Sequence, residues 1–468
     1  MIRPLFHALL VGTLLHVAAL SAASLPSNNK TTRNVILIIG DGMDEQQITI
    51  ARNYLAGASG ELILDTMPLR AQVQVLATED QVNGKPVYVS DSANTATAMA
   101  TGVVTSRGRI ATAAGSNTPL VTLVELADEA GFRSGLVTTA SVTDATPAAF
   151  AVHMSSRRCE DPDTMVDVSI YGFEIADCSA ELKANGGNGS ISEQLIASPL
   201  DLLFGGGRQR FDATAEGTDI SVESLAVDNG FVIVTSPQEL LQEEPGERLL
   251  GLFAQGNLPV RLQGENGRQA EAPVRSWLNY LNDYLGSAQL PDPMNCEPNP
   301  DFDGTPTLAQ MTEAALTHLS HDNDKGFFLM VESASIDKQA HERKPCGSIG
   351  ELAQLEEALG LALRFASRNP HTLVLVTSDH AQAAQLVPDQ SLFADYPVPV
   401  FTPGRIARIK TPEGSLMAVN YATNDFIMGE HTGAAVPLFS NDEGAGRISP
   451  FLQQTDIFRI ILEYLDLR

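Results

Sequence analysis

Val35-Ile36-Leu37-Ile38-Ile39 is an unbroken apolar run, rich in β-branched side chains, that stops at Gly40-Asp41-Gly42. A run of that length without polar alternation predicts a strand buried on both faces. The same pattern recurs at Phe327 to Val331, Thr372 to Thr377 reads as a further strand with an apolar run between threonines, and Ser134 to Thr139 reads as the strand that follows Gly131. Helical patterns lie between these runs. Thr118-Pro119 predicts a helix start, closed by Gly131, and the Ser348/Glu351 spacing predicts a capping box opening a long helix to about Arg368. Trp277, the only tryptophan, is expected packed in a helix from about Ser276 to Tyr284. Buried strands alternating with helices predict an α/β fold, with a large, mostly parallel central sheet and helices on both faces. Residues 180 to 305 carry no clear period. Residues 383–425 read as a peripheral insertion, and no internal repeat is present.

The first 23 residues follow a different rule. A basic start at Arg3, an apolar run from Leu5 to Leu20 and the small residues Ser21-Ala22-Ala23 describe a secretory signal peptide. The expected division is therefore a signal peptide at 1–23 and one catalytic domain at 24–468, exported to the periplasm or secreted, with no membrane anchor after cleavage. Export gives the cysteines a meaning. Cys159, Cys178, Cys296 and Cys346 are even in number and form no Cys-x-x-Cys pair. That points to two disulfides rather than a thiolate metal site. Three pairings are possible, and the local ones, Cys159–Cys178 and Cys296–Cys346, are favoured.

Charge narrows the function. The 468-residue chain has 57 acidic and 30 basic side chains, a formal net charge of −27. Nucleic-acid binding needs a basic stripe, so none is expected, and docking on anionic lipid is disfavoured. Seven lysines against 23 arginines, with many acids, is a composition of salt-adapted proteins.

The chemistry sits at the strand ends. In open parallel sheets, ligands bind beyond the carboxyl ends of the strands. Asp41 follows the first strand, Glu332 the strand from Phe327, and Asp379-His380 the strand from Thr372. A lone strand-end aspartate usually caps a turn; three strands delivering carboxylate or imidazole to one edge do not fit that reading. Asp337 and His341 are four apart, so a helical turn places them on one side, able to grip one metal. With His431, in Gly429-Glu430-His431-Thr432-Gly433, they make a set that suits zinc. Asp41, Asp379 and His380 make a second set. Two adjacent sets suggest two-metal phosphoryl displacement. The nucleophile candidate is Ser92, after Asp91 and before small residues that let a helix begin there, at a positive N-terminus that favours an anionic substrate.

These segments, with Asp144-Ala145-Thr146-Pro147 and Ser156-Arg157-Arg158-Cys159, resemble the alkaline phosphatase family, in particular the periplasmic bacterial type. They occur in the family's order from Asp41 onward. The resemblance implies hydrolysis of small-molecule phosphate monoesters through a phosphoserine at Ser92. It implies two Zn2+ and one Mg2+ per subunit. Asp337, His341 and His431 would hold the first zinc; Asp41, Asp379 and His380, with Ser92, the second. Asp41, Thr146 and Glu332 would hold magnesium, with Asp144 beside it. Arg157 would clamp the phosphate, Lys338 would add positive charge through water, and Asp91 would orient Arg157. Both local disulfides match the family's placement, and a homodimer is implied, with the arm before Arg33 as a possible contact. A sulfatase reading lacks the Pro and Arg that should follow the nucleophile. A diesterase reading must explain Arg157, which suits a dianionic phosphoryl group. A non-catalytic exported binder predicts a degenerate ligand set, yet none of its members is missing.

Overall fold

The computed structural model describes residues 32–170, 173–396, 398–400 and 402–467. The expected signal peptide and the polar arm up to residue 31 lie outside the described residues. Ten strands form the main sheet. In chain order they are β1 (Asn34–Gly40), β2 (Leu69–Gln74), β3 (Arg133–Ser141), β4 (Leu202–Gly206), β5 (Phe231–Val234), β6 (Arg248–Leu252), β7 (Phe327–Ser333) and β8 (Thr372–Ser378), and, after a separate small sheet, β12 (Val436–Ser440) and β13 (Phe451–Gln453). Their spatial order is β13-β2-β12-β8-β1-β7-β3-β4-β6-β5. The strands from β8 to β5 pair in parallel, and β12 runs against both of its neighbours.

The apolar run at 35–39 is β1, and all seven residues of the strand are buried. Its side chains alternate between two cores. Val35, Leu37 and Ile39 pack with Ala93 and Ala96 of α2 (Ser92–Thr101), Ala145 and Ala148 of α4 (Ala145–Ala149), and Ile457 and Ile461 of α8 (Thr455–Leu465). Ile36 and Ile38 pack with Ile48 of α1 (Glu45–Leu55), Met311 of α5 (Leu308–Ser320) and Leu355 of α7 (Pro345–Arg368). Period-two alternation into two apolar layers is why the run has no polar position. α3 (Leu123–Glu129) adds to the first layer, and α6 (Ser335–His341) follows β7 directly.

Four details differ from the sequence reading. The helix expected at Thr118-Pro119 begins at Leu123, because Thr122 and Glu125 form the capping box while Pro119 bridges to Thr112. The long helix begins at Pro345, not Ser348. Ser348 Oγ instead donates to the Ile336 carbonyl at 2.9 Å, and the Glu351 carboxylate accepts from Thr139, so the pair serves tertiary contacts. Glu332 lies inside β7, opposite Ile39 and Thr138, because the pairing with β1 continues past it to Ser333. Around Trp277 there is only a single 3-10 turn, Trp277–Tyr280, and the indole is 71% exposed.

Residues 383–425 contain a three-stranded antiparallel sheet of β9 (Ala384–Val387), β10 (Arg405–Lys410) and β11 (Leu416–Tyr421). The segment around 270–294 leans on it through bridges from Glu271 to Ile406 and Met294 to Ile409. Cys159–Cys178 and Cys296–Cys346 are both disulfide-bonded, as the local pairing predicted. No helix among the described residues is long and apolar enough to cross a membrane.

Candidate active site

Every strand that carries a ligand points its carboxyl end at one place. Asp41 sits in the turn after β1, where Gly42 adopts φ +67° and a Cβ would lie 3.0 Å from that of Asp337. Only glycine lets the turn come that close to α6. Asp379 and His380 lie in the bend after β8. Asp337 and His341 share one side of α6, and His431 arrives on a loop after β11.

The atoms that could ligate a metal form two clusters. Those of Asp337, His341 and His431 all lie within 4.8 Å of one another, as do those of Asp41, Asp379 and His380. In the second, His380 Nε2 is 3.3 Å from both Asp41 Oδ1 and Asp379 Oδ2. These two oxygens are buried and accept no hydrogen bond. In the first, His341 Nδ1 faces the Gly429 carbonyl at 2.6 Å and His431 Nδ1 faces the Ser90 carbonyl at 2.8 Å. A carbonyl only accepts, so each Nδ1 carries hydrogen and each Nε2 presents a lone pair. Those two Nε2 atoms are 3.0 Å apart, with Asp337 Oδ2 3.2 Å from His341 and Oδ1 3.5 Å from His431. Facing ring nitrogens at that distance fit a cation between them, a metal ion or, without one, a proton shared by the two rings. Orphaned carboxylate oxygens and opposed imidazoles are the donor sets that zinc takes. The His380 and His431 rings stack at 3.6 Å, so the clusters share a wall.

Electrostatics carry the same message. Burial, then Asp379 and Asp337, hold Asp41 well above the ordinary carboxylate range. Burial raises Asp379 to about 6, although the Gly42 amide donates to it, and burial with Asp144 nearby raises Glu332 to about 7. Against burial, which lowers it, Asp337 brings His431 up to about 9. Buried carboxyls so crowded hold protons until a cation replaces them.

Ser92 opens α2. Asp91 is the N-cap in a capping box with Asn94, and Ser92 Oγ lies 3.2 Å from His380 Nε2. The helix therefore presents its positive end and its first side chain to the ligand clusters. Asp91 also accepts from the Gly108 amide, whose carbonyl takes the Arg157 amide at 2.7 Å. Arg157 Nη2 donates to Asp144 at 2.8 Å and Nη1 to Asp91 at 3.4 Å, and the disulfide at Cys159 anchors its loop. Lys338 Nζ pairs with the other oxygen of Asp144. Against burial, Lys338 and Arg157 hold Asp144 well below the usual carboxylate range. An open cleft of ≈ 370 Å³, lined by Ser92, Asp144, Arg157, Lys338, His341 and His431, leads in from solvent.

Glu332 accepts from Thr138 Oγ1 at 2.6 Å, and Thr146 is buried at the second position of α4. No hydrogen bond joins Thr146 to Glu332 among the described residues. Sequence reasoning missed Thr138 and two glutamines. Gln382 Nε2 donates to Asp337 Oδ1 at 2.6 Å, and Gln454 Nε2 to the Asp379 carbonyl at 2.6 Å. Gln382 lies two residues past His380 and could have been found by that proximity. Nothing in the sequence around Gln454 marks it.

An α/β sheet with a serine at a helix start and two Asp/His clusters at its carboxyl edge defines a class of site before any comparison: a candidate nucleophile beside donor sets that could hold cations. The comparisons supply the family. Its model, alkaline phosphatase, matches residues 32–427. The alkaline phosphatase of Escherichia fergusonii is 39% identical over 92% of this chain and 85% of its own. Streptomycin-6-phosphate phosphatase of Streptomyces griseus is 38% identical over 98% of this chain and 96% of its own. The solved structure of Thermus thermophilus alkaline phosphatase superposes with a TM-score of 0.65 at 21% identity, covering 97% of this chain and 96% of that one, and so shares the fold. The chain belongs to the alkaline phosphatase family, and its enzyme class is that of the phosphatases.

Proposed function

We propose that this phosphatase hydrolyses phosphate monoesters through a phosphoserine on Ser92, with two zinc ions and one magnesium ion per subunit. The observation that carries this reading is the approach of Ser92 Oγ to His380 at the helix N-terminus, between two Asp/His clusters. Asp337, His341 and His431 would hold one zinc, and Asp41, Asp379 and His380 the other. Glu332, Thr146 and Asp41 offer the hard oxygens magnesium takes. Bound there, the ions supply the positive charge that favours an ionised serine and stabilises the leaving oxygen.

The residues divide the remaining work. Ser92 Oγ forms a bond to phosphorus as the bond to the alcohol oxygen breaks, and the alcohol leaves with a proton. Water then attacks phosphorus, the bond to Oγ breaks, and inorganic phosphate departs as the serine regains its proton. The planar guanidinium of Arg157 binds two non-bridging oxygens as a fork, held at the right tilt by Asp144 and Asp91. Lys338, fixed on Asp144, adds charge without filling the cleft. We place the enzyme in the periplasm or outside the cell, as a homodimer without a membrane anchor, acting on small molecules and not on nucleic acid.

The likeness to a streptomycin-6-phosphate phosphatase raises a second reading, a dedicated substrate, beside the broad alcohol tolerance we propose. Turnover of a panel of aryl, alkyl and sugar phosphates separates the two. The mechanism is tested by Ser92→Ala with metal content measured in parallel. Loss of turnover with zinc retained is expected; full turnover of an aryl phosphate by the variant sinks the mechanism.

A further inference from the structure

Arg343 is 3% exposed and sits just past α6 with φ +59°. Its guanidinium forms no ion pair among the described residues. Instead it donates to one short stretch of chain. Nη1 reaches the Ile427 carbonyl at 3.0 Å, and Nη2 the Asn424 carbonyl at 3.2 Å, the Asn424 side-chain oxygen at 3.1 Å and the Phe426 carbonyl at 2.9 Å. A buried cation committed to neutral carbonyls, on a non-glycine residue in the left-handed region, is costly. Its effect is to hold the backbone of residues 424–427 while Phe426 and Ile427 stand 63% and 70% exposed.

The held stretch runs directly into the first ligand cluster. Gly429 donates its amide to the His341 carbonyl at 2.8 Å and receives His341 Nδ1 on its own carbonyl at 2.6 Å. His431 follows two residues later. The Arg343 amide in turn closes onto the Ala340 carbonyl at 3.0 Å, so the guanidinium is fixed to the helix that carries Asp337 and His341.

The geometry points to Arg343 as a positioning residue of the Asp337/His341/His431 cluster, the clamp that ties the loop of His431 to α6. Through Gly429 it sets which nitrogen of His341 carries hydrogen, and through the loop it sets where His431 stands. The inference rests on the zinc reading above. The clamp acts first on one cluster: the Asp41/Asp379/His380 set hangs on β1 and β8 and meets this loop only beyond the clamped stretch, where His380 stacks on His431 and the Thr432 amide donates to the Ala381 carbonyl. Partners that orient a ligating histidine typically change metal affinity 10–100-fold.

The experiment compares wild type with Arg343→Gln, Arg343→Lys and Asn424→Ala. Zn2+ is titrated into metal-free protein against a chromophoric chelator, and amide exchange of the 423–431 peptide is followed by mass spectrometry without metal. Expected for Arg343→Gln are one site weakened about 10–100-fold, the other weakened distinctly less, and faster exchange confined to that peptide. Excess zinc should restore turnover, which a general loss of structure would not allow. Arg343→Lys keeps the charge but not the fork and should fall between. Asn424→Ala removes one acceptor and should shift both readouts in the same direction by less, which serves if Arg343→Gln fails to fold. Two wild-type zinc affinities with unchanged exchange in the folded variants overturn the clamp. Equal weakening of both sites overturns it too. If wild type itself takes up no zinc, the metal reading fails and this inference with it; an Arg343→Gln effect on exchange would then mark the failure as one of the metal and not of the loop contact.

Discussion

Glu332 offers the sharpest test of how the site's charge is organised. It is 1% exposed, lies within β7, and is raised from an ordinary 4.5 to about 7 by burial and by Asp144. In metal-free protein, the folded state keeps this proton over a pH range in which the unfolded chain has lost it. The sign follows directly. Below about 4.5 both states are protonated and the group has no effect; stability then falls as pH rises to about 7, and the penalty is constant above. At 1.36 kcal/mol per pH unit, the full penalty is about 3 kcal/mol. Glu332→Gln retains the shape and an acceptor for Thr138, and removes the ionisation. Metal-free Glu332→Gln should therefore gain about 3 kcal/mol over wild type between pH 4.5 and pH 8. With an unfolding entropy of ~0.9 kcal/mol/K for a chain of this length, that is a rise of about 3 °C in Tm relative to wild type. His431, raised to about 9, contributes stability to the metal-free fold below its ordinary value that is lost as pH rises through 9, equally in both proteins. The assay is a pair of melting curves at half-unit pH steps after chelation, repeated with Zn2+ and Mg2+ restored. With metal, the sign should reverse, because the ionised carboxylate then has a cation to meet. A difference between variant and wild type that does not change with pH would refute the reasoning.

Three further outcomes are expected. Arg157→Lys keeps the charge but loses the fork, about 1.5–3 kcal/mol of charge-assisted hydrogen bonding, so kcat/KM for an aryl phosphate should fall about 10–150-fold with inhibition by phosphate weakened alongside; a change under twofold would show that the fork is not used. Replacing Cys296 and Cys346 by serine opens a link across a sequence separation of 50 and should cost about 4 kcal/mol, against about 3 kcal/mol for the separation of 19 between Cys159 and Cys178, read by denaturant unfolding. The net charge of −27 leaves an acidic, self-repelling surface, so Tm should rise with added NaCl as the repulsion is screened, with activity retained in molar salt; a Tm that falls steadily with salt contradicts this.

Much of this protein is legible along the chain because it depends on short-range pattern. β1 and the first five residues of β7 are buried on both faces and apolar without interruption, β3 past Arg133 and β8 are as buried with serines and threonines among their apolar positions, and the turn after β1 and the bend after β8 carry Asp41 and Asp379-His380. Asp337 and His341 are read from helical spacing alone. The local disulfide pairing follows the same logic of nearness. The sequence fails where a residue's partner is far away. Ser348 and Glu351 have capping-box spacing, yet Ile336, Ser333 and Thr139 claim their side chains. The sequence around Trp277 reads as a helix from about Ser276 to Tyr284 with the indole packed, but the segment forms one 3-10 turn with the indole exposed.

What the sequence determined by itself is the list of chemical groups and the strand or helix that carries each. What only the tertiary structure decided is their mutual geometry. That Gln382 donates to Asp337 on α6 and Gln454 to the Asp379 carbonyl after β8, that Asp144 stands between Arg157 and Lys338, and that a buried arginine ties the His431 loop to α6 all depend on contacts across tens to hundreds of residues. The physical reason is one of range. Strand burial, helix periodicity and turns are fixed by neighbours within a few positions, while the direction of a lone pair or the proton on a carboxylate is fixed by whatever the fold brings within about 3 Å.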